Sequence, residues 1–264
     1  MSALQAVILA VIEGVTEFLP VSSTGHMILA SSIMKLGEDE FVKTFEIAIQ
    51  LGAILAVFAL YYKRFIVGPA IYLKLFTAFL PTGIIGFLVY KIIKTYLFNP
   101  FTVSVSLITG GIILIMLDRW SAQKKSNYIS TEDISYTGAF KIGLIQCVSM
   151  IPGISRAAAT IFGGIFNGFD RKQAAEFSFL LAVPTMFAAT GLDLIKSHEN
   201  IHKDNLTLLV IGGIVAFAVA MIAVKAFIAF LTRYGFKYFG YYRILLGILF
   251  LVFALYTGLE LKNG

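Results

Sequence analysis

Six stretches of the chain, about 41–61, 69–90, 101–118, 173–195, 206–224 and 241–258, are apolar over lengths that match the hydrocarbon thickness of a bilayer. Lipid offers no partner to backbone N–H and C=O groups, so runs of this kind fold as helices. Composition agrees: hydrophobic residues make up 58% of the 264, mean hydropathy is +0.87, and only 14% are charged, against roughly 25% in soluble domains. Residues 1–264 are therefore read as one all-α integral membrane domain. The formal net charge of +6 sits in short loops between apolar runs, which points to lipid head groups and gives no reason to expect a nucleic-acid partner. Cys147 stands alone, which excludes an internal disulfide framework and a cysteine metal site. The amino terminus has no Lys or Arg before its apolar run and carries Glu13, unlike a cleaved signal peptide, so it is read as part of the fold.

Two further apolar segments, 2–34 and 139–167, are interrupted at their middles by "LPVSSTG" (19–25) and "IPGIS" (151–155). Pro and Gly break a helix, and each half is too short to cross alone. The economical expectation is six spanning helices plus two re-entrant helix–loop–helix hairpins, because broken backbone at membrane depth must face protein or a watery cavity. The interrupted segments also align at a shift of 133 residues, placing Glu13 on Gln146, Val15 on Val148, Thr16 on Ser149 and Ser22 on Ser155. A second echo, at a shift of 130, lays "EIAIQLGAILAV" over "EFSFLLAVPTMF". Three crossings between the hairpins would turn the second half over, giving an inverted-topology repeat of 1–130 and 131–264 whose hairpin tips meet near the midplane. With Arg156 set apart in the second hairpin, seven Lys and Arg fall on the side of the amino terminus and thirteen on the other. The positive-inside rule then places both termini outside.

The interruptions also hold most of the chemistry. Glu13 and Glu17, four apart with Thr16 beside them, share a helical face. Ionisable groups at this depth face a site or pathway, and the pair could bind a cation; the alternative is a protonated carboxyl bonding a neighbouring helix. Ser22, Ser23, Thr24 and Gly25 read as a helix start able to hold an anion, or as an ordinary cap after Pro20. His26 lies three and four residues beyond Ser23 and Ser22, on their face, which suits a proton-handling role. On that spacing Ser23 is the expected nucleophile, His26 its base and Glu17 the orienting group, with Ser22 the rival nucleophile and direct attack by water the rival route. In the second interruption Pro152 and Gly153 permit the turn, Ser155 can cap, and Arg156 sits in the first turn of a helix with a small-residue face. A fixed cation at a helix start calls for an anion, and its planar fork favours phosphate or carboxylate; an ion pair with Glu17 is the alternative. Glu46, Gln50 and Glu176 are secondary polar positions that bond the hairpins or touch substrate. The acidic run at 38–40 and the loop with His198 and His202 read as solvated surface without a metal site.

Taken together, "EGVTEFLPVSSTGH" and "PGISRAAAT" resemble the two signature motifs of the bacterial undecaprenyl-pyrophosphate phosphatases, also called bacitracin-resistance proteins. The likeness covers nearly the whole chain, since "TFEIAIQLGAILAV", "LFNP", "EFSFLLAVP" and "YYRILLG" fall where that family has similar stretches. The resemblance implies a plasma-membrane enzyme that removes the terminal phosphate of a long polyprenyl diphosphate and so recycles the lipid carrier of cell-wall synthesis. It further implies a site facing outside and dependence on a divalent cation, Mg or Ca. Matching positions assign catalysis to Glu17, Ser23, His26 and Arg156, substrate contacts to Ser22, Thr24, Ser155, Arg156 and Thr160, and the cation to Glu13 and Glu17; Gly25 and Gly153, which let backbone approach closely and turn, are expected beside the substrate on their chemistry alone. Ala157 and Ala158 stand where the family commonly has Ser and Gly, so that Ser hydroxyl has no counterpart here. Expected partners are the polyprenyl diphosphate and membrane lipids, and a homodimer is compatible with the chain. A different class fits the same architecture: a transporter or flippase for a lipid phosphate or small anion.

Overall fold

The computed structural model describes residues 1–36, 40–66, 69–122, 125–196 and 205–258; the acidic run at 38–40 lies outside them apart from the backbone of Glu40, as do His198 and His202. Among the described residues there are ten α-helices and no strand. Their lengths run short, short, long, long, long, twice over. The first set is α1 (Ala3–Thr16), α2 (Ser23–Ile33), α3 (Glu40–Ile66), α4 (Pro69–Ile92) and α5 (Pro100–Ser121). The second is α6 (Tyr136–Gln146), α7 (Arg156–Phe166), α8 (Arg171–Lys196), α9 (Leu206–Tyr234) and α10 (Lys237–Thr257). The six long helices are the six apolar runs of the sequence. Helix α9 continues ten residues beyond the expected end at 224: Lys225 does not terminate it, and Gly235 does, at φ 73°. A Cβ at Gly235 would lie 2.0 Å from Asp118 Oδ1, which accepts from the Phe236 N–H and from Arg171 Nη2, each at 2.7 Å. One carboxylate thus ties α5, α8 and the α9–α10 corner together.

Local signals explain where the short helices start and stop. Ser2 and Gln5 form a reciprocal cap on α1, and Asn99 Oδ1 accepts from the Thr102 N–H ahead of Pro100 in α5. Caps of this type contribute about 1 kcal/mol each. Both interruptions are real breaks: α1 gives way at Glu17 and α2 begins only after Ser22, while a 3₁₀ turn at Cys147–Met150 and a non-helical stretch separate α6 from α7. Ser22 and Ser155 are the N-caps, accepting from the Gly25 and Ala158 N–H groups. Ser22 sits at φ 70°, a conformation that costs a non-glycine residue about 1–3 kcal/mol and concentrates at functional sites.

Close backbone contact seats the half-helices against the long ones. Helix α1 packs on α9 at Gly14, where a Cβ would lie 2.8 Å from the Ala216 carbonyl, and α6 packs on α4 at Gly143, where it would lie 2.0 Å from the Ala78 carbonyl. Small residues at such crossings replace the hydrophobic drive that lipid does not supply. Helix α10 lies along α5, and α7 against α8. The interior is aromatic, with Phe18, Phe179, Phe227 and Phe239 meeting edge to face in series. Outer faces carry Phe87, Leu255 and Tyr256 almost fully exposed, a surface that suits lipid rather than water. Arg243 departs from the sequence reading: it is counted there among the thirteen loop cations, yet it is fully buried, so the asymmetry becomes twelve against seven.

Candidate active site

The two breaks meet. Ser155 Oγ, at the start of α7, donates to the Leu19 carbonyl across the first break at 3.3 Å. Beside it Arg156 Nη2 reaches Glu17 Oε1 at 3.3 Å, and Nη1 donates to the Ser178 carbonyl of α8 at 3.1 Å. The guanidinium also lies over the Phe18 ring, 5.7 Å from its centre. Glu17 Oε2 accepts the Ser23 hydroxyl at 2.6 Å. Around these groups is a cavity of about 220 Å³, lined by Glu17, Ser22, Ser23, Thr24, Gln50, Ser149, Ser155, Arg156 and Thr185, with Met150, Ile154, Met186 and Ala189. Helices α2 and α7 both begin at its wall. Ser22 to Thr24 and Ser155 with Arg156 line it, so the positive ends of two helix dipoles lie at one volume, and Arg156 adds a full charge. Such a site holds an anion with several oxygens.

Of the residues singled out in the sequence, Glu17, Ser22, Ser23, Thr24, Ser155 and Arg156 line this cavity. Glu13, Gly25, His26, Gly153 and Thr160 do not. Thr160 is buried behind Arg156, hydrogen-bonded at 2.6 Å with the hydroxyl of Ser178, whose carbonyl holds the guanidinium. It supports Arg156 instead of reaching the cavity. Gly153, at φ 88°, makes the second turn possible, and a Cβ there would lie 2.6 Å from the Val103 carbonyl. Gly25 brings α2 against Leu107, 3.4 Å from where its Cβ would be. Glu46 accepts from Ser31 of α2, whereas Glu176 pairs with Arg64 and Lys172 at 3.8 and 3.9 Å, away from both breaks. Gln50 Oε1, in the cavity wall, accepts from Thr190 at 3.3 Å. Ser149 and Thr185 were not legible as lining residues; the signal available for Thr185 is its place directly after Pro184 inside α8.

Ser23 and His26, expected as a pair, each have another hydrogen-bond partner. His26 Nδ1 donates to the Ser22 carbonyl at 2.8 Å, and with the proton on Nδ1, Nε2 accepts from the Tyr242 hydroxyl at 2.6 Å. The two rings stack, centres 5.6 Å apart. The unusual φ at Ser22 directs its carbonyl to the imidazole, and both ring nitrogens are used outside the cavity. Glu17, in place of His26, is the proton acceptor bonded to Ser23.

Among the described residues no three His, Cys, Asp or Glu side chains converge on one point. Even so, Glu13 is fully buried one helical turn before Glu17, its carboxyl beside that of Glu17, and among the described residues no N–H or hydroxyl donates to either of its oxygens. A buried carboxylate in that state requires a proton or a cation. A cation completing its shell with phosphate oxygens and water needs only one or two carboxylates, so Glu13 with Glu17 fits one.

Comparison with known proteins covers the same residues. The family described as "Bacitracin resistance protein BacA" matches residues 6–249. An undecaprenyl-diphosphatase of Bdellovibrio bacteriovorus is 51% identical over 262 residues, 99% of each chain. One from Wolinella succinogenes is 53% identical over 96% of this chain and 98% of its own, and one from Aquifex aeolicus 50% identical over 97% and 100%.

Proposed function

The chain belongs to the bacitracin resistance protein BacA family, and from that premise we infer that it is an undecaprenyl-diphosphatase, a multi-pass membrane enzyme. It cleaves undecaprenyl diphosphate to the monophosphate and inorganic phosphate, returning the lipid carrier used in cell-wall synthesis. One observation carries the mechanism: two half-helix starts and Arg156 converge on the hydrogen bond between Ser23 and Glu17.

In the mechanism we propose, the diphosphate enters with its terminal phosphoryl group facing Ser23, its oxygens held by Arg156, the Ser22 hydroxyl and the N-termini of α2 and α7. Ser23 passes its proton to Glu17 Oε2 while Oγ attacks the terminal phosphorus. The bond to the bridging oxygen breaks, and the proton on Glu17 moves to the leaving monophosphate. Glu17 then takes a proton from water, which attacks the phosphoserine, and returns it to Ser23 Oγ as inorganic phosphate leaves. As Glu17 becomes neutral, Nη2 of Arg156 is freed for the phosphoryl oxygens. His26 acts here by holding the Ser22 carbonyl, and so the turn that aims Ser23. A divalent cation held by Glu13, and by Glu17 while it is ionised, would neutralise charge on the diphosphate.

We also propose the inverted repeat, both termini outside and a site open to the outside. Helix order supports it, as do the matched caps Ser22 and Ser155, the α1–α9 and α6–α4 packing, and Gln146, buried with Oε1 unpartnered at the position equivalent to Glu13. The test of the function is direct. Purified protein in detergent, given undecaprenyl diphosphate, is expected to release one phosphate per monophosphate formed. Movement of the lipid across liposomes without phosphate release would favour the transporter class.

A further inference from the structure

Arg243, near the start of α10, has no exposed surface, and no carboxylate pairs with it among the described residues. All of its hydrogen bonds go to backbone carbonyls: Nη1 to Pro20 at 3.1 Å, Nη2 to Gly153 at 3.0 Å and to Ser106 at 3.1 Å, and Nε to Leu107 at 3.4 Å. Pro20 belongs to the first break and Gly153 to the second, while Ser106 and Leu107 belong to α5. A permanently charged group is costly to bury without a counter-ion, and carbonyls of interrupted helices are costly to bury without donors. At Arg243 each need answers the other. In the sequence this residue is one of the thirteen cations of its side and part of "YYRILLG", and the preceding Tyr242 is the partner of His26.

We propose that Arg243 is a positioning residue for phosphoryl transfer, holding the two turns at the separation at which Ser23, Glu17 and Arg156 meet. It does not line the cavity, so it acts through the turns and not on the substrate. The fork matters more than the charge. Three segments are held by one rigid plane, which an ammonium on a flexible stem cannot reproduce. Gly110 of α5 belongs to the same device, since a Cβ there would lie 2.3 Å from Nη2 and displace the guanidinium without removing it. The proposal rests on the reading of the cavity as a phosphatase site, so its test has one arm that measures turnover and one that does not.

The variants are Arg243→Lys, which keeps the charge, and Gly110→Ala, which keeps the arginine and favours the helix by propensity. Gly213→Ala, with nothing within 4 Å of the added Cβ, is the control. In detergent with undecaprenyl diphosphate, both are expected to lower kcat per folded molecule, by at least about tenfold for Arg243→Lys, while KM moves less than about threefold. Amide hydrogen exchange without substrate is expected to quicken in peptides covering 18–23 and 151–156, and not elsewhere. Normal kcat per folded molecule with unchanged exchange in both peptides would overturn the proposal. Faster exchange throughout the chain with a matching loss of melting temperature would also overturn it, in favour of a general structural role. Failure of the wild-type chain to release phosphate would count against the phosphatase reading, and the exchange arm would still decide whether Arg243 holds the turns.

Discussion

Ser23 donates its hydroxyl to Glu17 across the first break, 2.6 Å from Oγ to Oε2, although one residue opens α2 and the other caps the end of α1. The other oxygen of the same carboxylate faces Arg156, so the proposed nucleophile, its proposed base and the arginine proposed to bind phosphate form one connected unit. A serine is a weak nucleophile at neutral pH without a base in contact. Here that contact exists before any substrate enters.

Arg156 is held at both ends of its fork, by Ser178 and Glu17. Removing one partner of a buried ion pair costs about 3–5 kcal/mol of stability, so truncation to Ala would confuse folding with function. Arg156→Lys keeps the charge and loses the fork. It is expected to retain the fold, read by its melting temperature in detergent, while phosphate release falls by about 100-fold or more.

Glu13 supplies a prediction about the cation. Chelation by EDTA is expected to stop turnover, and added Mg or Ca to restore it. Glu13→Gln leaves Glu17 bonded to Ser23, so the cation concentration for half-maximal rate is expected to rise about tenfold, the scale on which metal affinity responds to lost support, with KM for the lipid changed little. Full activity in EDTA would remove the cation from the account.

His26 is used at both nitrogens outside the cavity, which separates positioning from acid–base work. His26→Ala is expected to lower kcat at every pH while the profile of kcat against pH keeps both limbs. Tyr242→Phe deletes only the hydroxyl bonded to Nε2, and a loss of about threefold is expected, the scale of one neutral hydrogen bond. Disappearance of one limb in His26→Ala would return the imidazole to proton transfer.

Topology is tested by single cysteines in a Cys147→Ala background. A cysteine at Ser2 is expected to react with an impermeant maleimide on intact cells, and one at Ser126 only after the membrane is opened. Outside labelling at both positions would contradict the inverted arrangement.

The spanning helices and both interruptions were legible because length, apolarity, Pro and Gly act locally. The pairing of Glu17 with Arg156 was legible as the alternative to a bound anion, since a buried carboxylate and a buried guanidinium at two helix breaks have few other partners. The hydrogen-bond partner of Ser23 was not. Spacing alone assumes that Ser22 to His26 lie on one regular helix, whereas Ser22 at φ 70° redirects the turn and gives His26 a backbone acceptor. Tyr242, 216 residues from His26, and Ser149 and Thr185 in the cavity wall are brought in only by tertiary packing, whereas Gln50 stood out as a polar residue on an apolar helix. Arg243 reads in sequence as a helix-end cation, and nothing local distinguishes it from one that faces water.

The central claim is that Ser23 and Glu17 act as one unit in phosphoryl transfer. Phosphate release from undecaprenyl diphosphate by Ser23→Ala, Glu17→Gln and the double variant, each corrected for the folded fraction, tests it most directly. If the hydrogen-bonded pair is the nucleophile and its base, each single change lowers kcat by at least about 100-fold and the double variant is no slower than the worse single. Losses that multiply in the double variant, or near-normal turnover by Ser23→Ala, would contradict it.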